Sequence, residues 1–187
     1  LTAVHKLQEA VEDGKDRFLY EMATGTGKTL NSAAVIRLFL RTENARRVLF
    51  LVDRLELEDQ AWKAFTNYLK PDYTTFIYKE HRDDWRKADI VVTTVQSLSF
   101  NNKYSYLFSP TDFDLIISDE SHRSISGNSR AVFEYFNGYK LGLTATPKDY
   151  LKNVNIGKVK ENDPREVERR MLRDTYVTFG CEGGDPT

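Results

Sequence analysis

The segment MATGTGKT, Met22 to Thr29, follows the apolar stretch FLY and places two glycines, a lysine and three threonines within a few residues. That spacing suits phosphate chemistry. Gly25 and Gly27 would let backbone N–H groups turn toward an anion, with the N-terminus of a following helix adding favourable potential. Lys28 would reach the β- and γ-phosphates of a nucleotide, and the Thr29 hydroxyl would ligate Mg²⁺. Thr24, Gly25, Thr26, Gly27, Lys28 and Thr29 thus form a candidate phosphate loop. The full pattern asks for a glycine, four free positions and then Gly-Lys-Ser/Thr, and Met22 stands where the first glycine belongs. A plain glycine turn between a strand and a helix is the alternative, and Lys-Thr after the second glycine speaks against it.

A second run supplies acids. In DLIISDESH the apolar stretch Leu115 to Ile117 delivers Asp119 and Glu120 at its C-terminal end, where open α/β sheets bind ligands. Asp119 is placed to hold Mg²⁺, usually through water, and Glu120 to orient or deprotonate an attacking water. Alone, the Asp-Glu pair reads equally well as the cap of a following helix. Beside the phosphate loop, the catalytic reading is favoured, with ATP and Mg²⁺ as cofactors and Lys28, Asp119 and Glu120 as the reacting set.

Such residues need a scaffold. The chain has 187 residues, enough for one domain with a real core. Its net charge of −1, with 29% charged residues, leaves no global field for nucleic acid, so any such contact must come from a local patch. The single cysteine, Cys181, cannot form an internal disulfide, and no run approaches the length of a membrane span. The first residues lack the apolar block of a signal peptide, so the expectation is a soluble, cytoplasmic domain.

Val4, Leu7 and Val11 recur at helical spacing before Gly14, and TLNSAAVIRLFL, LELEDQAWKAFTNYL and RAVFEYF read as further helices. Between them lie FLYEM, VLFLV, TFIY, IVVTT, LIIS and LGLTAT, short apolar runs without polar alternation. Strands of that kind separated by helices predict a mainly parallel sheet covered on both faces, a three-layer α/β sandwich. After Pro147 the chain becomes highly charged; Asp163, Pro164 and Glu166 have the order of a helix start, and TYVTFG reads as one last strand.

ATGTGKT, DESH and LGLTATP occur in the order of motifs I, II and III of superfamily 2 helicases and translocases, which this chain resembles over essentially its whole length. Members commonly carry alanine and a shifted glycine in motif I, so Met22 ceases to be an objection. MATGTGKT, LFLVDRLELEDQA, IVVTTVQSL and SDESHRS are similar, more narrowly, to the motor of type I restriction enzymes in their R (restriction) subunit. The resemblance implies a RecA-like P-loop NTPase lobe over residues 1–148, with residues 149–187 as a charged excursion and last strand of the same lobe. It also implies an ATP hydrolase that drives movement on double-stranded DNA. His122, with Thr144 and Thr146, would couple nucleotide state to movement between lobes. A structural histidine and threonines capping a strand end are the alternatives.

The resemblance places several parts outside these residues. A tyrosine-glutamine pair that reads the adenine and the nuclease domain would lie before Leu1. The second motor lobe, with its arginine fingers, would follow Thr187. Methylation and specificity subunits would complete the restriction complex, and the lone lobe would be nearly inactive. VDRLELEDQ and TTVQS match motifs Ia and Ib, so Arg54, Thr93, Thr94, Gln96 and Ser97 would contact the DNA backbone without reading bases. Arg54 paired with Glu56 or Glu58 on a solvated helix face is the alternative. Trp62 reads as core, and Trp85, in a charged stretch, suggests no function. The other readings are another superfamily 2 DNA or RNA helicase, a non-translocating P-loop enzyme such as a kinase, or a nucleotide-dependent binding module without turnover.

Overall fold

Six short runs of β-branched and aromatic residues form six strands, and every pairing between them is parallel. The computed structural model describes residues 2–23, 25–121, 128–147 and 174–180. In chain order the elements are α1 (Thr2–Glu12), β1 (Arg17–Glu21), α2 (Lys28–Arg41), β2 (Val48–Val52), α3 (Leu55–Leu69) and β3 (Thr75–Ile77). They continue with β4 (Ile90–Thr94), α4 (Val95–Ser99), α5 (Lys103–Leu107), β5 (Leu115–Ser118), α6 (Asn128–Tyr135), β6 (Tyr139–Thr144) and α7 (Thr175–Thr178). Across the sheet the order is β1-β6-β5-β2-β4-β3.

Strand side chains alternate between faces, and both faces are dry. Phe18 and Tyr20 of β1, Val48, Phe50 and Val52 of β2, and Ile90 and Val92 of β4 pack beneath Leu7, Val35, Ile36, Phe39 and Phe65 from α1, α2 and α3. Leu19, Leu49, Leu51, Val91 and Ile116 point the other way, against Val95 and Leu98 of α4, Val132 and Phe133 of α6, and Phe136 just after it. This is the three-layer α/β sandwich that the apolar runs predicted. No helix among the described residues is long and apolar enough to cross a membrane.

The tail departs from expectation. The composition of TYVTFG suggests a strand, but Thr175–Thr178 is a helical turn. The Asp174 carboxylate accepts hydrogen bonds from the N–H groups of Tyr176 and Val177, which caps that turn. β-branched content suggested a strand, and this local cap won. The turn returns Phe179 to the sheet, where its ring fills the space a side chain on Gly142 would need: a Cβ there would lie 2.4 Å from the ring. A bidentate Arg17–Glu134 pair, at 2.8 and 2.6 Å, ties β1 to α6, and Arg17 also donates to the Thr178 carbonyl. The helix expected to start at Asp163 lies outside the described residues.

Trp62 departs from its expected place in the core, and Trp85 takes a core position. Trp85 is buried, stacked on Phe113 with the guanidinium groups of Arg47 and Arg86 over its ring, whereas Trp62 lies partly exposed with its indole N–H donating to the Thr75 carbonyl. A charged local sequence concealed a core aromatic because its cations pack on the ring's face.

Candidate nucleotide site

The strand order brings the C-terminal ends of β1, β6 and β5 side by side. β1 runs into the glycine loop, β5 ends at the acids, and β6 between them ends at Thr144. The Met22 N–H donates to the Thr144 carbonyl at 2.8 Å, which ties the start of the loop to β6. The Thr26 hydroxyl donates to the Ala23 carbonyl at 2.6 Å and closes the loop on itself. Gly25 and Gly27 both adopt positive φ, 82° and 88°, a conformation that L side chains rarely reach. Gly27 is the N-cap of α2 and supplies no side-chain cap, so the first N–H groups of a 14-residue helix face the loop.

Lys28 and Thr29 occupy the first turn of α2, with Thr29 exposed. The Lys28 ammonium crosses to the other acid-bearing strand end, where Nζ lies 3.0 Å from Oε1 of Glu120. Glu120 follows β5 with φ +50°, which is uncommon for a residue with a side chain. Strain of that kind concentrates at functional positions. The Glu120 N–H donates to Oδ1 of Asp119 at 3.0 Å, and the Asp119 N–H donates to the Leu51 carbonyl. Burial pushes the Asp119 carboxyl above the usual carboxylate range, and the charge of Glu120 adds to it, while Lys28 pulls the other way. A buried acid held close to a second acid suits a position that a cation will occupy.

No cluster of three or more histidine, cysteine or acidic side chains able to cage a metal exists among the described residues.

The Asp119 shift has a consequence for stability. Its folded-state value lies above the unfolded one, so its contribution is fully present below the ordinary carboxylate value and is lost as pH rises through the raised value. Asp119→Asn is therefore expected to stabilise the nucleotide-free fold at neutral pH, because the amide stays neutral where the buried carboxyl must ionise. Melting curves across acidic to neutral pH check this. The gap between variant and wild type should open as pH rises; a gap independent of pH contradicts it.

Other expected residues fall less evenly. Thr144 is buried, and its hydroxyl accepts the Thr146 N–H at 3.1 Å, so it shapes the turn after β6. Thr146 is exposed. Thr24 and His122 lie outside the described residues. Arg54 is exposed with Nε 3.7 Å from Asp53, not paired with Glu56 or Glu58. Gln96 is exposed, and its amide donates to the Asp53 carboxylate at 3.4 Å. Thr93 and Thr94 are both buried, at 1% and 2% exposure, rather than on the surface expected of DNA-backbone contacts. Thr94 instead caps α4, accepting the Ser97 N–H at 3.1 Å, with the half-buried Ser97 hydroxyl 2.6 Å away. An apolar strand running directly into a helix buries the last strand residues, which motif matching does not register. Glu58, read as a solvated alternative partner, is fully buried. Its spacing from Ala61, Phe65 and Leu69 along the inner stripe of α3 was the available signal.

A parallel sheet with a glycine loop after its first strand and an acid pair after its fifth defines a RecA-like nucleotide-binding lobe of the superfamily 2 helicase type. The chain belongs to the family described as type III restriction enzyme, res subunit, whose model matches residues 1–149. It is 36% identical over 156 residues to the type I restriction enzyme EcoAI endonuclease subunit of Escherichia coli, covering 80% of this chain and 19% of that protein. It is similar to a solved nuclease-deletion mutant of the type ISP restriction-modification enzyme LlaGI in complex with a DNA substrate mimic. That match has a TM-score of 0.62 and 25% identity, and covers 83% of this chain and 18% of that one. The SWI2/SNF2 ATPase core of Sulfolobus solfataricus, solved with double-stranded DNA, shares the fold at TM-score 0.67 and 16% identity over 98% of this chain and 35% of that one. The chain spans less than a fifth of the length of the restriction subunits it matches.

Proposed function

We propose that this chain is the ATP-binding motor lobe of a DNA translocase of the type I restriction class, acting within a longer protein. The observation that carries the reading is the Lys28–Glu120 contact at 3.0 Å. It brings a phosphate-seeking cation at the start of α2 and a water-activating acid just after β5 together from segments far apart in sequence. Nucleotide phosphates entering the glycine loop would take Lys28 from Glu120 and free that carboxylate to orient or deprotonate water. Thr29 and Asp119 would hold Mg²⁺, which when bound supplies charge that offsets the negative charge developing on the phosphoryl oxygens. Arg54 and Gln96, joined through Asp53, would face the backbone of double-stranded DNA. Thr146, with His122, would pass the nucleotide state to a second motor lobe. A nuclease domain and methylation and specificity subunits are the further partners this reading implies.

DNA-stimulated ATP hydrolysis by the full-length protein tests the reading. A kinase would need an acceptor substrate instead, and a binding module would show no turnover. Binding of the chain to duplex is expected to be weak and indifferent to sequence, with a shallow salt dependence of about −0.9 in log affinity per phosphate contacted. Fluorescence anisotropy over a salt series measures that slope; base-specific binding that survives high salt contradicts backbone tracking.

A further inference from the structure

α3 carries a carboxylate that the nucleotide site does not use. Glu58 sits at 0% exposure on the inner stripe of its helix. Removing a carboxylate from water costs several kcal/mol unless it is paired and hydrogen-bonded. Oε1 accepts the backbone N–H of Thr94 at 2.9 Å, and Oε2 lies 2.8 Å from Nζ of Lys79, just beyond β3. Thr94 is the N-cap of α4. In a capping box, a Glu or Gln at the third helical position reaches back to the N-cap N–H. α4 has Ser97 there, which bonds the Thr94 hydroxyl but leaves the Thr94 N–H to another acceptor. Glu58 supplies that acceptor from α3. One turn earlier Asp53 accepts from Gln96, so two carboxylates of the segment after β2 grip the start of α4.

We infer that Glu58, held by Lys79, is a positioning residue that completes the cap of α4 from a neighbouring helix. It thereby fixes Arg54 and Gln96 as one surface for a nucleic-acid backbone. The surface's occupant rests on the proposed function; the positioning itself does not. A leucine would fill the same volume without accepting the Thr94 N–H, which would leave a buried donor unsatisfied.

Hydrogen exchange, duplex anisotropy and Mg-ADP thermal shifts on wild type, Glu58→Ala and Glu58→Gln test this. In Glu58→Ala the Thr94 and Ser97 amides should exchange at least about tenfold faster, and duplex affinity should fall about tenfold, as loss of a charge-assisted bond requires. The Mg-ADP shift should be unchanged. Glu58→Gln keeps an oxygen for Thr94 and should recover most of both losses. Should Glu58→Ala not fold, Glu58→Leu, which keeps the volume and loses the acceptor, reads the same amides and the same duplex affinity with the same expected pattern. Unchanged exchange at Thr94 and Ser97, or acceleration spread equally through the glycine loop, overturns the positioning role. Wild type without duplex affinity overturns the nucleic-acid reading instead, so the two failures are distinct.

Discussion

Glu120→Gln is expected to keep nucleotide binding while turnover falls by about 10²–10⁴-fold, the range for loss of a positioned general base. Glutamine retains an oxygen for Lys28 but neither charge nor the capacity to take a proton. The 3.0 Å pair that holds Lys28 before phosphates arrive is weakened as well. Nucleotide affinity should therefore stay level or tighten while hydrolysis collapses. Calorimetric titration and single-turnover hydrolysis in the full-length protein separate the two effects. A variant that loses affinity and turnover in equal measure would make Glu120 a binding group and contradict its assignment.

The second large effect concerns the arginine that the proposed two-lobe reading assigns to a second lobe. Phosphoryl transfer spreads negative charge over the equatorial oxygens, and an arginine supplied from outside the loop contributes about 10³–10⁵ in rate. Lys28 lies beside the acids, with Nζ 3.0 Å from Glu120. Arg17 is committed to Glu134, and Arg47 to the carbonyls of Ala88, Asp112 and Arg86. On the proposed two-lobe reading, the chain alone is expected to hydrolyse ATP about 10³–10⁵-fold more slowly than with an arginine-bearing second lobe, and with little DNA stimulation. Adding that lobe should restore both. Brisk DNA-stimulated turnover by the chain alone would contradict the two-lobe account.

Much of the lobe was legible because buried strands and amphipathic helices write themselves into local composition. VLFLV and IVVTT became β2 and β4 at their expected bounds, and LELEDQAWKAFTNYL became α3. The grouping of the glycine loop with the acid pair was legible because glycine, lysine and acid types are restricted by backbone geometry and charge, and the structure sets Lys28 3.0 Å from Glu120. Tertiary context decided the rest. TYVTFG became helical through the Asp174 cap, Trp85 was drawn into the core by cations on its ring, and Thr93 and Thr94 were buried by the neighbouring layer. Glu58 escaped notice because its partners, Thr94 and Lys79, are 36 and 21 positions along the chain and meet it only once the sheet has formed.

The central claim is that the glycine loop and the acid pair form one Mg-nucleotide site. The most direct measurement is thermal unfolding of this chain with and without Mg-ADP, for wild type and Lys28→Ala. Ligand at a hundred times its dissociation constant should stabilise the wild type by about 2.7 kcal/mol. Lys28→Ala should lose most of that gain while its ligand-free melt changes little. Equal shifts in the two proteins, or none in the wild type, would contradict the account.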